Sequence, residues 1–242
     1  MRFALMIFAA MCLGGVAHGQ TEYVTGAPYT AKAEMTMEGH RKAFETTTLA
    51  RASDGSTYRM VYAMGKVNYR NVIEDVPGHR VIFLNPRNHS YTIKDDQEMK
   101  TLTAEQFAER AETLQKEYAA RPSLSNPIGQ RTTRTALGTK IENGFKLYGE
   151  VDDFVQVASE IRGHAKPAIT THTEEWSTDF GVTTLMVFTL VRGSADSPDY
   201  FSKQTTTVTN IRREEPDSTL FRIPDGYTRL EQLPEPAAPA SK

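Results

Sequence analysis

At 242 residues the chain is long enough for one large β-rich domain or two small ones, and its 28 Lys and Arg against 30 Asp and Glu give a net charge of −2, which excludes the basic footprint of a nucleic-acid binder. The only cysteine, Cys12, lies in an N-terminal apolar run, so neither a disulfide framework nor a thiolate metal site is open to the rest of the chain. Beyond that run no stretch approaches the roughly 20 apolar residues of a membrane-crossing helix, so no transmembrane anchor is expected.

Residues 1–19 read as an export signal. Arg2 supplies the positive start, residues 3–16 the apolar run, and Ala17-His18-Gly19 the small-x-small pattern of a cleavage site. Cleavage before Gln20 leaves a single β-rich domain over residues 20–233, expected in the periplasm or outside the cell. Bulky Met11 stands where a lipoprotein signal needs a small residue, which argues against a lipid anchor on Cys12.

The first strand is predicted over residues 29–37, where Tyr29, Ala31, Ala33, Met35 and Met37 alternate with polar residues at the period of a half-buried strand. Gly39-His40 reads as a turn, residues 42–50 as a threonine-rich strand, and Ser53-Asp54-Gly55-Ser56 as a hairpin leading into a strand over 57–63. Strands follow at 67–74, 80–84 and 89–94, with a turn at Asn85-Pro86-Arg87-Asn88. Every connection is too short for a crossover helix, so the pairing is expected to be antiparallel.

The alternation breaks at residues 103–121. Thr103 and Gln106 form a capping box, and Phe107, Ala111, Leu114 and Tyr118 fall on one stripe, which predicts an amphipathic helix. Pro122 ends it, and the segment to Gln130 reads as a loop. Strands resume at 132–141 and 145–151, joined by Glu142-Asn143-Gly144, then at 154–161, 169–178, 182–192 and 204–213, with Asp179-Phe180-Gly181 as a further turn. Asp152-Asp153 and Asp95-Asp96 read as turn residues at strand ends. The Pro/Ala-rich tail, 234–242, is expected to be disordered.

The chain contains no G-x-S-x-G, no phosphate-cradling G-x-x-x-x-G-K and no dinucleotide fingerprint, so no catalytic residue, no cofactor and no enzyme activity is expected. In His172-Thr173-Glu174-Glu175-Trp176, residues 172, 174 and 176 share one strand face. His172 and Glu174 are two metal ligands where a site needs a third, for which His164 is the nearest candidate; no metal site is assigned. Trp176, the only tryptophan, suits either core packing or the wall of a ligand cavity. Met35, Met37 and Met60, with Tyr58 and Tyr62 on a neighbouring strand, suit an adaptable apolar surface or an ordinary core. Asn88-His89-Ser90 matches a glycosylation sequon, a pattern short enough to arise by chance.

The run Glu174-Glu175-Trp176-Ser177-Thr178-Asp179 and the segment 207–227, with its Leu220-Phe221-Arg222-Ile223-Pro224 closing stretch, resemble exported bacterial proteins of unknown function, many from soil acidobacteria. Gly26-Ala27-Pro28-Tyr29 and the turn 85–89 belong to the same resemblance, which carries over no catalytic residue. The layout of strands, one helical insertion, strands and a Leu-Phe-x-Ile-Pro ending is also similar to the LolA/LppX-like lipoprotein-carrier superfamily. That resemblance implies an incomplete barrel that shelters acyl chains; the carriers show several helices where this chain shows one.

The architecture expected is therefore mainly β, a curved antiparallel half-barrel with the helix of residues 104–121 on its concave face. A closed lipocalin-like barrel is the alternative. The leading functional expectation is a non-enzymatic envelope protein that binds a lipid, an acyl chain or a lipidated protein between sheet and helix, through Met35, Met37, Tyr58, Met60, Tyr62, Phe107, Leu114, Tyr118 and Trp176. A packed interaction module without a ligand is the second reading, and an exported hydrolase the third.

Overall fold

The computed structural model describes residues 22–39, 43–63, 68–120, 123–126, 130–161, 164–193 and 198–231. The export signal, Cys12, the turn residue His40 and the tail lie outside the described residues. In chain order the elements are β1 (Glu22–Thr25), β2 (Tyr29–Gly39), β3 (Ala43–Arg51), β4 (Thr57–Ala63), β5 (Asn68–Asp75), β6 (Arg80–Asn85), β7 (Ser90–Asp95), β8 (Lys100–Thr103) and α1 (Ala104–Ala120). They continue with β9 (Ser123–Asn126), β10 (Gln130–Glu142), β11 (Phe145–Gln156), β12 (Ser159–Ile161), β13 (His164–Lys166), β14 (Ile169–Thr178), β15 (Thr183–Gly193), β16 (Pro198–Arg212), a 3-10 turn at Ser218–Phe221 and β17 (Thr228–Arg229).

Thirteen strands form one curved sheet in the order β17-β7-β6-β5-β4-β3-β2-β16-β15-β14-β11-β10-β9. The sheet has two free ends, β17 and β9, so it is open and the closed-barrel alternative is excluded. Its pairing is antiparallel except at β17, which runs parallel to β7; a separate parallel pair joins β1 to β8. Both exceptions pair segments far apart in sequence, Glu22 with Lys100 and Thr228 with Ser90, where no short hairpin fixes direction.

Local chemistry explains most element boundaries. Thr103 and Gln106 cap α1 reciprocally, each side chain accepting from the other's backbone N–H, at 3.2 and 2.9 Å. Asn143 and Gly144 both adopt positive φ, 52° and 81°, the conformation of a tight two-residue hairpin between β10 and β11. Three expectations are corrected. Residues 145–156 form one unbroken strand, because Asp152 and Asp153 are cross-strand partners of Arg134 and His172 rather than turn residues. Part of the segment expected as a loop is β9, paired with β10. Residues 198–203, left out of the strand expected at 204–213, belong to β16.

The register defines two faces. Tyr29, Ala31, Ala33, Met35 and Met37 of β2 share a face with Thr206, Met186, Glu175 and Glu150 through successive cross-strand pairs. On this front face Tyr29, Ala31, Ala33, Leu49 and Val208 join Val24, Ala27, Phe180 and Val182 in the main core, and Phe107 of α1 packs against it. The back face carries a second core, Ala50, Tyr58, Ile73, Ile82 and Leu84, covered by Leu220, Phe221, Ile223 and Tyr227 of the C-terminal segment. An open sheet with apolar residues on both sides needs cover on both, and these two segments provide it.

Candidate functional site

Helix α1 lies on the front face over β10 and β11, held largely by polar contacts. Gln115 donates to the Gly149 carbonyl at 2.8 Å and accepts from the Gly138 N–H at 3.0 Å. Gly138 takes φ 87° at a β-bulge after Ala136, and the bulge frees that N–H for the helix. Glu112 receives a hydrogen bond from Lys146 at 2.6 Å and another from the Tyr148 hydroxyl at 3.3 Å; the Lys146 contact holds its carboxyl below the usual range. Arg134, bidentate to Asp152, donates to the Tyr118 hydroxyl at 2.9 Å, and Arg110 pairs with Glu22 of β1. Near the start of the helix, Gly181 carries no side chain, and the space left is filled by Val24 and Phe107.

No residue of α1 is fully buried. Phe107, Leu114 and Tyr118 are half-buried, so the apolar stripe is seated on the sheet without being enclosed by it.

Two carboxylates sit directly opposite each other on the face that α1 covers, Glu150 of β11 and Glu175 of β14. Burial pushes the Glu150 carboxyl up to about 7, with Arg134 opposing the rise and Glu175 and Asp152 adding to it. Burial also raises Glu175, against hydrogen bonds from Thr183 at 2.7 Å and Ser177 at 2.9 Å. Like charges placed directly across a strand pair repel, and retaining a proton relieves the repulsion. The sequence held a signal for Glu175: with Trp176 and Glu174 on one face of a strand, Glu175 must take the other.

The nine residues expected to line a site do not meet on one surface. Phe107, Leu114 and Tyr118 belong to α1, and Met35 and Met37 share the front face several strands away from it. Tyr58 is buried in the back-face core, and Met60 and Tyr62 follow it on β4, Met60 on the same back face; the Tyr62 side chain is outside those described. Trp176 also lies on the back face. Its ring covers Gly149, Lys140 Nζ stands 4.2 Å from the ring centroid, and its indole N–H donates to Glu174 at 2.8 Å. His172 shares this face and pairs with Asp153 at 2.7 Å. His164 lies in β13, and its side chain is outside those described. Among the described residues no group of three His, Cys, Asp or Glu is placed to hold a metal ion, and no helix is long and apolar enough to cross a membrane.

An open cleft of about 420 Å³ lies at the end of the β10–β11 hairpin, lined by Pro28, Gly144, Phe145, Lys146, Asp179 and Arg213. Phe145 meets Phe180 edge-on at 5.5 Å, and the Arg213 guanidinium lies 4.3 Å from the Phe180 ring centroid. The sequence reading missed this cleft, whose residues come from four separate segments.

No protein-family model matches the chain, and no curated protein matches it. Among solved structures it is similar to a LolA superfamily protein from Nitrosomonas europaea, with 5% identity over 81% of this chain and 90% of that one and a TM-score of 0.32. A DUF1329 family protein from Desulfovibrio piger matches with 10% identity over 82% and 90% and a TM-score of 0.30. The lipoprotein LppX from Mycobacterium tuberculosis matches with 11% identity over 78% and 88% and a TM-score of 0.25. None of these likenesses assigns a family or an activity to the chain.

Proposed function

We propose that this is an exported, non-enzymatic envelope protein, a single domain over residues 20–233, that holds an acyl chain, of a free lipid or of a lipidated partner, between the front face of its sheet and α1. The observation that carries the reading is the half-buried stripe of Phe107, Leu114 and Tyr118. A helix that covers a sheet only to pack it would bury such a stripe; here Gln115, Glu112 and Tyr118 tether the helix through hydrogen bonds while the apolar side chains keep surface to offer. Met35 and Met37 add apolar side chains that repack readily to the same front face, across Thr206, Met186, Glu175 and Glu150 from the helix. Tyr58, Met60 and Trp176, on the back face, fall outside the seam in this reading.

The fixed hydrogen bonds around Glu175 favour a second reading, a packed interaction module whose interior takes no ligand. Native mass spectrometry with lipid analysis of protein purified from its own envelope separates the two. Co-purified acyl lipid released on unfolding supports the carrier reading; protein of bare polypeptide mass, which also takes up no lipid on incubation, supports the packed module.

A further inference from the structure

The cleft at the β10–β11 hairpin combines an apolar floor with an excess of positive charge. Its floor is Phe145 and Pro28, backed by Phe180, which is 1% exposed. Arg213 at its rim is exposed and makes no ion pair among the described residues; its guanidinium stands 4.3 Å from the Phe180 ring centroid. Lys146, also on the rim, is paired with Glu112 of α1.

Behind the floor lies Arg51, 4% exposed, whose guanidinium donates to the carbonyls of Ala27 at 3.0 Å and Phe180. These two acceptors are immediate chain neighbours of Pro28 and Asp179, which line the cleft. Arg51 pairs with no carboxylate among the described residues and rests on the Tyr29 ring at 5.0 Å. Burial pushes its guanidinium down to about 10, with the positive charge of Arg213 adding to the effect. Of the nearby acids, Glu112 is engaged by Lys146, Glu214 faces Arg212 and Glu215 accepts from Ser53. Asp179 is the one acid among the residues that line the cleft, beside Lys146 and Arg213.

The same place adjoins the helix seam. Phe145 and Phe107 both pack against the core cluster that contains Phe180 and Val182. The cleft and the underside of α1 are therefore backed by one and the same buried cluster.

We infer that this cleft is a headgroup subsite for an anionic amphiphile, taking the carboxylate or phosphate of an acyl lipid at Arg213 and Lys146 while the chain runs over Phe145 toward α1. The inference rests on the acyl-chain reading above and adds the charge of the ligand to it. A guanidinium resting on a ring and lacking a carboxylate presents its N–H donors to an anion without first breaking an ion pair.

The test is titration calorimetry of the purified full chain with laurate, with 1-dodecanol and with inorganic phosphate, all below self-association. The wild type is expected to bind laurate at least tenfold more tightly than dodecanol, and phosphate at least a hundredfold more weakly than laurate. Arg213→Gln is expected to abolish the preference for laurate and leave dodecanol binding unchanged. Lys146→Gln serves as a second variant, expected to lower the preference severalfold, and circular dichroism verifies the fold of both. Equal binding of laurate and dodecanol by the wild type, or a preference that survives both substitutions, overturns the headgroup inference and leaves the acyl-chain reading standing. Phosphate bound as tightly as laurate overturns it in favour of a free-anion site. No binding of either acyl compound overturns the acyl-chain reading and the inference together.

Discussion

Gly149 and Trp176 stand opposite each other on β11 and β14, and the indole lies so close over the glycine that a Cβ there would come within 2.7 Å of its Cη2 and Cζ3 atoms. The absent side chain is what lets the ring lie flat on the sheet, where Lys140 covers it from the other side. Gly149→Ala is therefore expected to lift the ring and weaken the Lys140 contact, destabilising the fold by about 1–3 kcal/mol. Tryptophan emission should shift to the red and the urea midpoint fall; an unchanged spectrum with an unchanged midpoint contradicts this packing.

Glu150 and Glu175 make stability depend on pH in a definite direction. The folded state holds the Glu150 proton up to about 7 against an ordinary value of 4.5, so between these limits the folded protein binds more protons than the unfolded chain. The stabilisation is complete below 4.5 and is lost as pH rises through 7, with at most about 3 kcal/mol at stake. Glu175 acts in the same sense. Urea titrations from pH 5 to 8 should show stability falling with pH, and Glu150→Gln should flatten the curve by raising its alkaline end. A wild-type profile flat over that range removes the buried-proton account.

Much of the layout was legible because local chemistry writes it into neighbouring residues. Thr103 with Gln106 marked the start of α1, and Asn143-Gly144 marked a hairpin whose positive φ angles only such residues accept comfortably. Partners distant in sequence were not legible. Asp152 and Asp153 look like a turn until Arg134 and His172 are placed beside them, and nothing near Glu22 announces Lys100.

The candidate site suffered most from the same gap. Alternation tells which residues of one strand share a face, so Met35 with Met37, and His172 with Trp176, were grouped correctly. It does not tell which face of the sheet each group takes. That depends on the register of every hairpin between them, and here it sets Tyr58 and Trp176 against Met35 and Met37. The cleft at Arg213 has no local pattern at all, since Pro28, Phe145, Asp179 and Arg213 meet only through β2, β11, the β14–β15 turn and the exit of β16.

Arg51 ties two loops together from within the core. Its guanidinium satisfies the carbonyls of Ala27 and Phe180, and Arg51→Met keeps an unbranched apolar stem while leaving both acceptors without that donor. Two buried carbonyls left without a donor cost more than removal of the buried charge returns, so a loss of about 2 kcal/mol is expected. Equilibrium urea denaturation measures it; a variant as stable as the wild type shows that the two loops are held without Arg51.

Phe107 and Leu114 lie on the apolar stripe of a helix whose polar attachments are the ion pair of Arg110 with Glu22 and the hydrogen bonds of Glu112, Gln115 and Tyr118. Phe107→Asp together with Leu114→Asp places two carboxylates against apolar surface, where each must be desolvated without a partner or force the helix away. Undocking is the less costly outcome, since β10 and β11 keep their ladder without the helix and most helical stability in proteins comes from such packing. Hydrogen exchange followed by mass spectrometry should then show the amides of residues 104–120 exchanging at least tenfold faster, while those of β14, β15 and β16 keep their protection. Faster exchange across the whole sheet would mean that α1 is part of the core rather than a cover, and unchanged exchange in α1 would mean that the polar tethers alone hold it in place.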